Sequence, residues 1–556
     1  MNSIAIRDPQ SAILTTSVWH RPLVPSAAKV ALAKRQAGAA AALLRQGARE
    51  KIFSVLRVTD DLESLTQFVH RCRERGVTAV ELCDCVRIAE QRRRTLRGEP
   101  RRLEDRVLFG LLLALGDYGL AEVPETQRDA FVEQLANWYG GDPSSSIHGA
   151  TGWLLRHWKR GDLAKKVDQT PLPYAPGREW FTLEFVVPPS GGAWASGGRQ
   201  PPVHSASDGR QPPVNSSSES PAQPGTTEPP EGGTTNGPAT NFHITFVVFP
   251  AGEYLIGSAP DEVDRHADER RHAVKLTRPI AVSDREITWE QYNSFDHRGH
   301  HDSWEKQFGR TLTLEEPAFG VNWYEAVSYC RWLSERAGMS EEDQAYPAPS
   351  SLDPGRFPAD PDPQAGGAPR NWPLNLEKPG FRLPTEAEWE MVCRGGTSTA
   401  YSFGNDAPLL RHYGWFQENS EKWSHAVGLL RPSPRGLFDI HGNLYEWCHD
   451  WYGDYGNDAA DPVGGATGSG RVIRGGGWNL VSAFCRAAFR EASRPTVRII
   501  YLGFRLAVVP FSQASESASR AASDAGSGSR EAEGVAAERR SPADQAEATG
   551  GASGDE

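Results

Sequence analysis

Residues 188–240 are built largely from Pro, Gly, Ser and Thr, and they carry the hexamer GRQPPV twice, at 198–203 and 209–214. Such a stretch has too little apolar surface to offset the entropy of ordering its backbone. It therefore divides the chain: a helical part at 1–187, a flexible tether at 188–240 and a second globular unit at 241–510. Residues 511–556 are Ala, Ser, Gly and charge, with almost no large apolar side chain, and are expected to form a disordered tail.

The first part reads as helical. Leu62, Leu65, Val69 and Cys72 recur at helical spacing, with Asp60 or Asp61 available as a cap. Val107, Leu111, Leu112 and Leu115 form a second stripe, and Phe131, Leu135 and Trp138 a third. A fourth carries Ile147, Ala150, Leu154, Leu155 and Trp158, opened by the turn at Pro143 and Ser144. Short helices with brief turns predict an all-α domain, either a HEAT-like repeat stack or a plain bundle. Six arginines, Arg92, Arg93, Arg94, Arg97, Arg101 and Arg102, crowd one short stretch. They are expected to be a solvated helix face, or a contact for phosphate or an acidic partner.

The second unit holds most of the 17 Trp and most of the turn signals. Asn322 with Glu325, and Thr385 with Glu388, have the spacing of capping boxes and predict two helix starts. Between them lies a Pro-rich stretch, 346–379, expected to be a long surface insertion.

Several motifs of this unit occur in one order: GEYLIGS at 252–258, VNWYEA at 321–326, FRLPTEAEWE at 381–390, GLFDIHGNLYEW at 436–447, RGGGW at 474–478 and LGFR at 502–505. Together they resemble the formylglycine-generating enzyme (sulfatase-modifying factor) family over nearly half the chain. The resemblance implies a compact, loop-rich α+β fold with C-type-lectin-like topology. The helical part also resembles segments that precede such domains in large bacterial signalling proteins, including kinases. No Gly-rich loop with a catalytic Lys and Asp set is present, so no kinase is expected in this chain.

The family's enzymes oxidise a cysteine of a sulfatase peptide to formylglycine, with oxygen and copper held between two cysteine thiolates. By position, Cys485 stands on the second cysteine and is the candidate catalytic residue. Leu480 stands on the first, and Leu has no lone pair for a metal; soft Cu(I) favours two thiolates. Gly477 replaces a serine, Tyr501 an asparagine and Tyr445 a tryptophan of the same pocket. The departures predict loss of copper chemistry, with Cys485 buried as a small hydrophobe. Cys448 is the other thiol to weigh as a partner. The resemblance also implies a structural calcium, with Asp439, Gly442, Leu444 and Glu446 as ligands, the middle two through backbone carbonyls. Two carboxylates with carbonyls suit a hard cation; the alternative is that Glu446 only pairs with an arginine. The family's other calcium site is not recognisable at 415–427.

His297, His300, His301 and Asp302 lie close enough in sequence for a metal, such as the iron of related sulfoxide synthases. Those enzymes carry a His-x-x-x-His-x-Glu pattern in a helical domain, absent from 1–180, so a solvated loop is expected. His266 and His272 read as surface residues. A formal net charge of -11 argues against nucleic acid or an anionic membrane as partner. The odd count of 7 Cys predicts reduced thiols and a cytoplasmic setting. Residues 1–10 lack a basic segment leading into an apolar one, so no signal peptide is expected. The longest apolar run, 107–115, is far short of the ~20 residues of a membrane helix. The retained family motifs beside the altered copper positions predict a non-catalytic binding module for a protein or peptide ligand, with a formylglycine-generating-type oxidoreductase as the alternative.

Overall fold

The computed structural model describes residues 26–56, 61–187, 240–296, 299–351, 371–456 and 460–511. The expected linker, apart from Thr240, and the expected tail, apart from Phe511, lie outside the described residues.

Eight helices come first: α1 (Ser26–Arg45), α2 (Arg49–Leu56), α3 (Glu63–Arg71), α4 (Ala79–Arg93), α5 (Gly98–Leu115), α6 (Glu125–Gly141), α7 (Ser145–His157) and α8 (Gly161–Asp168). All four apolar stripes are buried. α5 packs against α3, α4 and α7, and α3 against α1, so α1, α3, α5 and α7 stack in a row. Asp61 accepts a hydrogen bond from the Glu63 amide at 3.3 Å, beside the start of α3. Among the described residues, no helix is long and apolar enough to cross a membrane.

The expectation of an all-helical part up to 187 needs correction. Helix ends at Asp168, and β1 (Trp180–Val187) follows. Its sequence, WFTLEFVV, is the β-branched and aromatic run that favours a pleated, buried strand. β1 pairs antiparallel with β2 (Thr240–Phe249) over eight positions, from Trp180 opposite Val247 to Val187 opposite Thr240. Phe181 stacks on Phe246 at 5.4 Å and Phe185 on Phe242 at 5.3 Å, which locks the register. Residues 188–239 thus connect two paired strands of one sheet rather than separating two domains.

The second unit continues with β3 (Gly252–Ile256), β4 (His272–Leu276) and β5 (Ile280–Ser283), then α9 (Trp289–Asn293), α10 (His300–Phe308), α11 (Trp323–Arg336) and α12 (Glu386–Arg394). β6 (Tyr445–Trp451), β7 (Arg471–Arg474), β8 (Glu491–Ser493), β9 (Leu502–Gly503) and β10 (Ala507–Val508) close it. One sheet has the order β1-β2-β5-β10, another β8-β7-β6-β9, and β3 pairs with β4. Both predicted capping boxes form. Asn322 Oδ1 accepts from the Glu325 amide at 2.9 Å and Thr385 Oγ1 from the Glu388 amide at 3.3 Å. The predicted surface insertion has buried ends: Tyr346 and Trp372 are within the core; residues 352–370 are outside the described residues.

The helical row is docked on this second unit. Thr66 donates to the Phe403 carbonyl at 2.6 Å, and Glu63 accepts from the Asn405 amide at 2.6 Å. Gln67 donates to Asp406 at 2.7 Å, and Arg431 meets Asp117 at 2.5 Å. A single apolar core runs from Leu65, Phe68 and Leu108 of the helices into Tyr401, Phe403, Tyr413 and Cys485.

Candidate functional site

Four motif strings converge below β6 and β7. Residues 439–443 precede β6 and residues 475–478 follow β7, and both turn sharply. Asp439, Asn443, Gly475 and Gly476 all have φ between 53° and 97°. Asp and Asn tolerate that region better than other side chains. At Gly476 a Cβ would sit 2.6 Å from Cys485 Sγ, so the glycine permits the turn to close onto the cysteine.

Charged motif residues are spent on internal pairs. Arg505 grips Glu446 in a fork, Nε to Oε2 at 2.6 Å and Nη2 to Oε1 at 2.7 Å. The indole of Trp389 donates to the same Oε2 at 2.6 Å. Arg382 grips Glu388 at 2.6 and 2.7 Å, and Arg474 pairs with Glu390, which also holds Arg394 at 2.8 Å. All are buried. Planar bidentate pairs are the form in which buried charge is best compensated.

The sequence-predicted pocket residues do come together. Leu480 donates its amide to the Gly477 carbonyl at 3.1 Å. A Cβ on Gly477 would lie 3.6 Å from Tyr501 Cβ, so the larger side chain at 501 faces a position without one. The rings of Tyr501 and Tyr445 are 6.5 Å apart. Burial raises the Tyr445 phenol pKa well above its ordinary value.

Of the two positions that the resemblance assigns to copper, Leu480 and Cys485, one carries a sulfur. Cys485 is 0% exposed, in the apolar core it shares with Tyr401 and Phe403. Burial pushes its thiol up to about 12. Its Sγ sits 4.0 Å from the Val481 carbonyl. Leu480 brings no sulfur. Cys448 packs in a separate cluster with Trp389, Cys393 and Val472, and all seven cysteines are free and buried.

The calcium set fits in part. Asp439 Oδ2 accepts from the Gly428 amide at 2.7 Å, while Oδ1 is buried with no hydrogen-bond partner. Burial lifts this carboxyl to about 6. Glu446 Oε2 is saturated by Trp389 and Arg505, which leaves one lone pair on Oε1. Glu286 was not anticipated. It accepts from the Leu444 amide at 3.0 Å and from Asn443 Nδ2 at 2.7 Å, and burial drives its pKa well up. Asn443 ties the whole loop: its amide donates to Trp415 O and its carbonyl accepts from Trp478 N. The Gly-Asn pair within the 436–447 motif was the available signal for that role.

His441 is a structural residue. The Ser402 amide donates to its Nε2 at 2.9 Å, so Nδ1 carries the proton and donates to the Cys485 carbonyl at 2.8 Å. Burial lowers its pKa to about 4. Of the histidine cluster, His297 lies outside the described residues. His300 meets Asp296 at 3.0 Å. His301, Asp302 and Glu305 have ligand atoms within 4.8 Å of one another on α10, where a helix rather than a loop was found. Asp302 is 73% exposed and Glu305 already accepts from the Leu312 amide at 2.7 Å.

The second unit is thus an α+β, loop-rich scaffold whose motif residues pair with one another. Residues 235–509 match the sulfatase-modifying factor enzyme 1-like domain, and this part of the chain belongs to that family. A formylglycine-generating enzyme of Thermomonospora curvata is 36% identical over 152 residues, 24% of this chain and 50% of that protein. The serine/threonine-protein kinase pkn1 of Chlamydia pneumoniae is 37% identical over 134 residues, 23% of this chain and 21% of the kinase. The chain therefore spans half or less of these curated relatives. Among solved structures, Treponema denticola variable protein 1 is 30% identical with a TM-score of 0.41, covering 48% of this chain and 96% of that one.

Proposed function

We propose that the sulfatase-modifying-factor unit is a non-catalytic recognition domain that binds a protein or peptide ligand. The observation that carries this reading is the state of the two copper positions. One is Leu480, and the other, Cys485, is a thiol buried in apolar core. Around them the scaffold pairs Arg505–Glu446, Arg382–Glu388 and Arg474–Glu390 are intact. Loops on such a rigid core suit recognition. A calcium bound through Asp439, with Glu446, Gly442 and Leu444 around it, would brace the 439–446 loop. The formal net charge of -11 supports a partner other than nucleic acid or an anionic membrane, and seven free thiols support a cytoplasmic setting.

The test is peptide oxidation. The full chain, supplied with Cu(I), oxygen and a cysteine peptide of sulfatase type, is followed by mass spectrometry. The peptide is expected to stay unchanged. Its conversion to formylglycine by the native chain, but not by Cys485→Ala, would sink the proposal.

A further inference from the structure

The arginines singled out in the sequence do not form a uniformly solvated helix face. Arg93 is buried against Asp105 and Asp142. Arg94, Arg97, Arg101 and Arg102 instead line one wall of a cleft of about 700 Å³ between the helical row and the sheet. Arg178, from the turn before β1, and Arg435, from the second unit, complete it. Against these six cations the lining holds two carboxylates, Asp105 and Glu179. The cleft is thus strongly positive on a chain that is negative overall.

Several of these charges are poorly compensated. Arg97 donates only to the main-chain carbonyls of Arg94 and Leu96, with no carboxylate within 4.0 Å among the described residues. Arg178 lies over Trp180 at 5.1 Å and donates to the carbonyls of Asp142 and Gly141. Partial burial lowers its pKa. Arg435 shares Glu179 with Arg102, at 3.7 and 3.6 Å, and donates to the Val248 carbonyl at 3.0 Å, while its Nε is buried with no hydrogen-bond partner. α5 opens into the same cleft at Gly98, and no side chain caps its first turn. The helix N-terminus adds positive potential, offset in part by Glu99 of its first turn, and Pro100 there offers no amide donor.

We propose that this cleft binds a small molecule through a diphosphate or triphosphate group. Guanidinium forks match phosphate oxygens in pairs, and the volume is that of a small-ligand site. Consecutive acidic side chains of an extended peptide are spread at about 3.3 Å per residue. Linked phosphates concentrate the same charge in a shorter span. The site uses none of the residues of the copper or calcium positions, so it stands or falls apart from the recognition reading.

The experiment is calorimetric titration of the full chain with pyrophosphate and with ADP, beside Arg97→Gln and Arg102→Gln, both exposed and on the same wall. One saturable site is expected, weakened roughly tenfold or more by either substitution, as for loss of one charge-assisted contact. Arg411→Gln, an exposed residue paired with Glu418 away from the cleft, is expected to leave affinity unchanged. Vesicles carrying a bisphosphorylated inositol lipid separate the sources. No vesicle binding is the expected result; vesicles that bind and are displaced by pyrophosphate would overturn the choice of linked phosphates on a small molecule. Absence of saturable pyrophosphate and ADP binding would overturn it, whether or not hexaglutamate binds. So would binding that both cleft variants leave unchanged.

Discussion

Replacing Gly149 by Ala reports, by its sign, whether the helical row is docked on the second unit. Gly149 lies in α7, and a Cβ there would meet Gly436 Cα at 2.7 Å, with the Gly436 carbonyl oxygen and carbon at 3.2 and 3.3 Å. These are backbone atoms, so no side chain can swing aside. Overpacking of this kind costs about 1–3 kcal/mol. Against it stands the helix-propensity gain of Gly→Ala, about 0.5–1 kcal/mol. The net expectation is destabilisation by up to about 2.5 kcal/mol. If α7 were free of the second unit, only the gain would remain and the variant would be stabilised. Gly38 in α1 is the control: its nearest atom would be Arg75 Nη1 at 3.9 Å, so Gly38→Ala is expected to stabilise by about 0.5–1 kcal/mol. Urea denaturation of the full chain, followed by Trp fluorescence, reads both. Stabilisation by Gly149→Ala to the same extent as by Gly38→Ala would refute the docked arrangement.

Three further outcomes follow from buried charge. Glu446→Gln leaves Arg505 buried without its counter-charge and is expected to cost about 3–5 kcal/mol in denaturant unfolding; a loss below about 1 kcal/mol would mean that the pair is dispensable. Asp450 accepts from the Glu386 amide at 2.9 Å, and burial, then Glu386, lifts its pKa to about 8. The folded chain therefore holds a proton that the unfolded chain releases above about pH 4. Its contribution is complete below that pH and is lost as pH rises towards 8, so Asp450→Asn should flatten the fall in melting temperature between pH 5 and 9 seen in the native chain. Calcium should raise the melting temperature of the native chain but not of Asp439→Asn, measured by scanning calorimetry with and without chelator; equal shifts in both would remove Asp439 from the ligand set.

Local patterns carried much of the fold. Both capping boxes join groups three residues apart, and the four apolar stripes recur at helical spacing, so spacing alone disclosed them. The run WFTLEFVV carried a strand's composition and was overlooked; its pairing with β2, on the far side of residues 188–239, leaves no local mark. The docking of the helices was hidden for a related reason: Glu63 and Thr66 are ordinary helix residues until Asn405 and Phe403 are brought to them. At the site, the position of Leu480 was readable from its place after RGGGW. Glu286 was not, since nothing near it in sequence shows that the amide of Leu444 needs an acceptor. The arginine cluster could be seen, but its division into the buried Arg93 and the cleft-lining Arg97 depends on Arg178 and Arg435, distant in the chain.

Cu(I) titration of the full chain, beside Cys485→Ala and Leu480→Cys, tests the central claim most directly. Weak binding that Cys485→Ala leaves unchanged, with affinity gained in Leu480→Cys, is the predicted result. Tight one-to-one binding by the native chain that Cys485→Ala abolishes would contradict it.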